Sequence, residues 1–260
     1  MDNQERYANI IFLNAVLPLL KVIVEDDEKL SNKFLKLTGT LQISALCEEG
    51  KVGTHYEIEE GSIKVVKGVI EAPTLELEFK SIELFNGFFK GTSKKLPKIK
   101  GIKHLKLLMA SLGGLMKMAN LLGLNTPPPE EKEKKLLVRL YFYLLSSGIS
   151  QLNKVGHPEI SKWVKKSPDR VYAWTVENDE EMSAFLRIKA GNSKASRGIY
   201  KRSKPFFTMR FDSTESALRI LMEIDDMIES TIKGKLVMEG APEFGAQLGD
   251  YMTIVGGYAK

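Results

Sequence analysis

The chain carries one short pattern twice. PTLELEFKS at 73–81 and PFFTMRFDS at 205–213 both run from a proline through alternating apolar residues to a serine placed to open a helix. Two copies of one pattern are expected to build two similar units, each with its own core, and 260 residues with 43% apolar side chains suffice for that. Each half reads as a long helix, a set of strands, a helix opening at Ser81 or Ser213, a short strand and a closing helix. The fuller copy is 205–257. There 214–233 reads as one amphipathic helix, longer than its counterpart at 81–89 and the following loop by about seven residues, or two turns.

Between 37 and 79 the apolar residues alternate with polar ones. Leu41, Ile43 and Ala45 flank Gln42 and Ser44, Tyr56 and Ile58 flank Glu57, and Leu75, Leu77 and Phe79 flank Glu76 and Glu78. Period-two alternation predicts strands with one wet face, here a meander of about four, punctuated by Gly50, Gly53, Gly61 and Gly68. A strand at 96–102 contains Pro97 and belongs at an edge. From 103 to 122, Leu105, Leu108, Met109, Leu112, Leu115, Met116, Ala119 and Leu122 form a helical stripe expected to face inward. Gly113-Gly114 within it costs about 1 kcal/mol per glycine, so close packing or a thin, flexible wall must compensate. Triple proline at 127–129, followed by charge, is the linker signal. It divides the chain into a divergent unit (1–126), a linker (127–132) and a better-preserved unit (133–260). After it come helices at 131–155 and 159–166, then strands at 170–177, 182–190 and 206–211. A Gly/Ser/Lys-rich loop is expected at 191–204.

Residues 7–24 are strongly apolar, but Asp2 and Glu5 stand where a secretory leader carries positive charge, and Asn9, Asn14, Pro18 and Lys21 interrupt the run. The expectation is a packed helix rather than a leader or a span. The single cysteine, Cys47, forms no intramolecular disulfide and fits a reducing, cytoplasmic setting.

The catalytic repertoire is thin. His55, His104 and His157 stand apart from one another and from any metal-binding spacing, and neither a nucleophile elbow nor a glycine-rich phosphate loop occurs. Asp225-Asp226 reads as the wet edge of a helix, and 212–215 (DSTE) as a helix cap. The expectation is a protein without catalytic residues, metal or cofactor. Charge says more. Net charge is +5, and 84–129 holds eight lysines (Lys90, Lys94, Lys95, Lys98, Lys100, Lys103, Lys106, Lys117) and no acid. Likewise 182–211 holds Arg187, Lys189, Lys194, Arg197, Lys201, Arg202, Lys204 and Arg210 and no acid. Such runs are solvated faces or surfaces for an anionic membrane or ligand; no nucleic-acid motif accompanies them, which argues against nucleic acid as the partner. Methionines gather in the last strand and helices of each half, as core filler or as a deformable apolar lining.

At 234–252 (GKLVMEGAPEFGAQLGDYM), preceded by a strand, an Asp-Ser cap and an amphipathic segment, the sequence resembles the sterol carrier protein type 2 family. The first half resembles it more faintly, since 96–101 (LPKIKG) departs from the Gly-Lys-Leu strand. The resemblance implies an α+β fold of two similar domains in tandem, each a mostly antiparallel sheet of about five strands with helices packed on one face. It implies an internal apolar cavity for a lipid, fatty-acyl or other apolar small molecule, and no catalysis. Position by position, the cavity would be lined in the second half by Phe207, Met209, Phe211, Leu218, Leu221, Met222, Ile224, Ile228, Phe244, Leu248 and Met252. In the first half it would be lined by Leu77, Phe79, Leu84, Phe85, Phe88, Leu108 and Leu112. Expected partners are therefore a lipid or acyl molecule and, at the surface, anionic membranes, with a homodimer allowed. The alternative is a structural or protein-interaction module with a closed core.

Overall fold

The computed structural model describes residues 2–260. It divides into two compact units, Met1–Leu121 with Tyr258–Lys260, and Leu122–Gly257. The division falls just before the proline run.

In the first unit α1 (Asn3–Ile11) passes through a π-helical stretch (Phe12–Val16) into α2 (Leu19–Asp26), and α3 (Glu28–Phe34) follows. Pro18 has no N–H to give Asn14, and the ladder widens: Leu17 N–H donates to the Phe12 carbonyl at 2.8 Å. The carbonyls this disturbs are met from the sheet, by Thr54 Oγ1 on Leu13 O (2.6 Å) and by the Tyr56 hydroxyl on Leu17 O (2.7 Å). The apolar N-terminal run is thus a core helix, with 78% of its most apolar window buried. Its interrupting Asn9 is buried beside Asn86, which also donates to the Glu5 carbonyl at 2.9 Å.

The sheet contains β1 (Thr38–Cys47), β2 (Gly50–Glu59), β3 (Ser62–Lys67), β4 (Leu75–Phe79) and β5 (Lys98–Lys100), in the order β3-β2-β1-β4-β5. The expected four-strand meander holds for three strands only. β4 crosses over and pairs parallel to β1, Leu41 opposite Leu75 and Ala45 opposite Phe79. Two helices complete the unit, α4 (Ile82–Phe89), capped by Ser81 Oγ accepting from Leu84 N–H at 3.2 Å, and α5 (Leu105–Leu122).

The second unit contains α6 (Glu131–Lys154), α7 (Pro158–Lys166), β6 (Arg170–Val176), β7 (Asp179–Lys189), β8 (Asn192–Arg197), β9 (Phe207–Phe211), α8 (Thr214–Leu221), α9 (Met227–Ile232), β10 (Leu236–Glu239) and α10 (Pro242–Ala259). Its order, β10-β9-β6-β7-β8, is that of the first sheet read from the other end, again with one parallel pair, β6 with β9. The fold is α+β, two five-stranded, mostly antiparallel sheets with helices packed nearby.

Two expectations are corrected here. The polar loop expected at 191–204 contains edge strand β8, turned by Ala190 and Gly191, both at positive φ like Glu60 and Gly61 in the first unit. The single helix expected at 214–233 is two. Glu223 at φ 60 breaks it, Arg219 grips Asp225 through two hydrogen bonds (2.9 and 2.6 Å), and Asp226 accepts from Glu229 N–H at 2.9 Å to cap α9. Asp225-Asp226 is a helix junction, where short acidic side chains outcompete continuation of the ladder.

Candidate functional site

Strand alternation sorts each sheet into two faces. In the first unit Leu41, Ile43, Leu75, Leu77 and Phe79 turn one way and are buried. The aromatic rings of the π-helical stretch and α4 close over them: Phe79 lies 5.3 Å from Phe85 and 5.2 Å from Phe88, and Phe12 lies 6.3 Å from Phe85. Phe85 and Leu108 are buried, whereas Leu84, Phe88 and Leu112 are half-exposed. In the second unit Phe207, Met209 and Phe211 have no exposed surface, and Leu218, Leu248 and Met252 are buried. Trp174 Nε1 approaches Met252 Sδ at 3.4 Å, and Phe211 stacks on Phe142 at 5.7 Å. Leu221, Met222 and Phe244 are half-exposed, the last edge-on to Phe206 at 4.8 Å.

Two residues expected in the interior are not there. Ile224 lies in the break between α8 and α9 and is exposed; Ile228, on α9, is 72% exposed. Breaking the helix changes the rotational phase of everything after it, so a stripe continued through 222–226 points the wrong way.

The larger departure is α5. Its buried residues include Leu107, Leu108, Ser111, Gly114, Met118 and Leu121. A side chain on Gly114 would lie 2.6 Å from Leu20 Cδ1, so the helix closes on α2 through its small residues. That is the close-packing answer to the cost of Gly113-Gly114. In exchange, Leu105, Met109 and Met116, assigned to the inward stripe, are 60%, 61% and 65% exposed. Sequence reasoning missed this outward stripe. Its signal was the serine and glycine on the opposite face, where Gly114 leaves room for the end of the Leu20 side chain.

The opposite sheet faces are polar. In the first unit Glu76, nearly fully buried, accepts from Gln42 Nε2 (2.8 Å), Ser44 Oγ (2.7 Å) and Lys51 Nζ (2.7 Å), with Lys100 Nζ at 3.1 Å. Burial alone would raise its pKa, but these donors outweigh it and hold the carboxyl at about 2. In the second unit the same face has a cleft of about 190 Å³ under the 198–206 crossover, lined by Thr175, Ser183, Tyr200, Thr208, Arg210 and Glu239 among others, with Arg210 Nε 2.9 Å from Glu239. Ala173, Ala184, Ile199 and Pro205 also line it, its open surface is more apolar than polar, and the cleft is below the ~300 Å³ at which small-molecule sites begin.

The two basic segments differ. In 182–211 Arg187 pairs with Asp169 (2.7 Å), Arg210 with Glu177 (3.0 Å) and Glu239, and Arg197 lies over the Tyr143 ring at 4.8 Å. In 84–129 Lys100 serves Glu76 and Glu78, and Lys117 pairs with Asp27 at 2.6 Å. Lys94, Lys95, Lys103 and Lys106 are exposed and make no ion pair among the described residues. Among the same residues no three His, Cys, Asp or Glu side chains gather as a metal site.

No protein-family model matches the chain, and no curated protein matches it. Among solved structures it is similar to sterol carrier protein 2, at 17% identity and TM-score 0.33, over 42% of this chain and 95% of that one. It is similar to a conserved hypothetical protein of Thermus thermophilus described as a sterol carrier protein candidate, at 14% and 0.27, over 44% and 84%. It is also similar to the stereoselective inverting sec-alkylsulfatase Pisa1 of a Pseudomonas species, at 19% and 0.32, over 57% of this chain and 21% of that one. These are partial likenesses.

Proposed function

We propose that the chain is a non-catalytic binder or carrier of a lipid, fatty-acyl or other apolar small molecule, built as two sterol-carrier-like domains in tandem. The observation that carries this reading is α5, an 18-residue helix of mean hydropathy 1.3 with only 39% of that window buried. Soluble proteins seldom leave such a run uncovered without an apolar molecule to meet it. Half-exposed Leu84 and Phe88 on α4 and Leu112 on α5 are further apolar side chains that a ligand can meet in the first unit. The same strand order twice supports the tandem, and the lone Cys47 a cytoplasmic setting. An anionic membrane is the source or destination of the ligand, in keeping with the unpaired lysines.

Lipid mass spectrometry of the purified full chain, with binding of a fluorescent fatty acid, tests the reading. Co-purified lipid or saturable uptake is expected; a lipid-free protein that also ignores the probe sinks it. One observation favours a second reading, an interaction module with a closed core. Phe207, Met209 and Phe211 are wholly buried, with the Phe207 ring 2.9 Å from where a side chain on Gly245 would stand. On that reading the second unit binds nothing inside, and a protein partner, or a second copy, meets its surface.

A further inference from the structure

We propose that the first unit docks on an anionic lipid bilayer through the turn after β5 and the first two turns of α5. Ile102, in that turn, is 64% exposed, and Leu105 and Met109 continue its line along the helix. Lys103 and Lys106 interleave with them, both exposed and without an ion pair among the described residues, and Leu96 with Lys94 and Lys95 precedes them before β5. Apolar side chains that enter the acyl boundary, flanked by lysines whose stems lie on apolar surface while the ammonium groups reach phosphates, are what a bilayer interface accommodates. Charge decides among the occupants. A second copy would set these lysines against themselves across a two-fold axis. An anionic leaflet neutralises them, and no acid occurs anywhere from 84 to 129. The inference deepens the lipid reading by fixing where the chain meets the membrane and which headgroup charge it selects.

The test is flotation of the full chain with vesicles of phosphatidylcholine alone and of phosphatidylcholine with phosphatidylglycerol in equal parts. Binding is expected to the anionic vesicles only and to weaken with salt. Lys103→Glu with Lys106→Glu, and separately Leu105→Ser with Met109→Ser, should each lower it about tenfold or more without moving the thermal midpoint. Lys201→Glu with Arg202→Glu, an equal charge change on the second unit, should leave it intact. Failure to float, equal flotation on neutral vesicles, or loss caused equally by the 201/202 pair would overturn the proposal. So would a dimer in sedimentation that Leu105→Ser with Met109→Ser dissolves in a protein that ignores vesicles. A chain that carries lipid but does not float loses only this inference; one that floats but carries and takes up no lipid loses only the ligand reading.

Discussion

At Gly101, φ is +81, and a side chain there would overlap the Thr74 carbonyl oxygen. Backbone cannot step aside as a flexible side chain can, and the left-handed conformation adds strain of its own. Gly101→Ala should therefore destabilise the chain by at least ~2 kcal/mol, read as a lower urea midpoint. Gly114→Ala should cost less, because the atom it meets is the end of Leu20. Glu76 gives a pH signature. Its folded pKa of about 2 lies below the ordinary 4.5, so its contribution is complete above pH 4.5 and is lost as pH falls toward 2. Glu76→Gln should lower stability at neutral pH and flatten the dependence between those values. A wild-type slope equal to the variant's would refute the assignment.

Helix α5 shows what an element adds to its residues. Its periodicity is helical on both faces, so hydropathy assigns it a helix but does not select the face. The close approach at Gly114 does. Replacing buried Leu108 by Ala should cost ~2–5 kcal/mol, whereas Leu105→Ser or Met109→Ser should stay within ~0.5 kcal/mol of wild type. A large cost at Leu105 would mean the helix is turned the other way. The α8–α9 break has a matching consequence for ligand uptake. Ile228→Ser should leave fluorescent fatty-acid binding unchanged, while Leu218→Ala, wholly buried on α8, should alter either binding or stability, measured by titration and melting. The capping serines, in contrast, were legible at once: Ser81 and Ser213 each accept from the backbone N–H three residues on, as short hydroxyl side chains at a helix start do.

For the whole molecule, alternation and turn residues were enough to anticipate an α+β chain with two sheets, because period two and positive-φ turns are local properties that survive any arrangement of the strands. Of the candidate lining, the strand residues Leu77, Phe79, Phe207, Met209 and Phe211 lie on the buried face that their alternation indicated. Which strand pairs with which was not local. The return of β4 beside β1, parallel, depends on a crossover whose Ile70 N–H donates to Gln42 Oε1 at 2.7 Å, a contact between residues far apart in sequence. The repeated pattern, the element types, the helix caps and the separation of an apolar from a polar sheet face were legible along the chain, all set by side chains acting on their own few turns of backbone. The strand order and the outward stripe of α5 came from the fold alone, because each depends on a partner supplied from elsewhere in the same unit, β1 for β4 and Leu20 for Gly114, whereas the break at Glu223 is local, held by Arg219 on Asp225 six residues on.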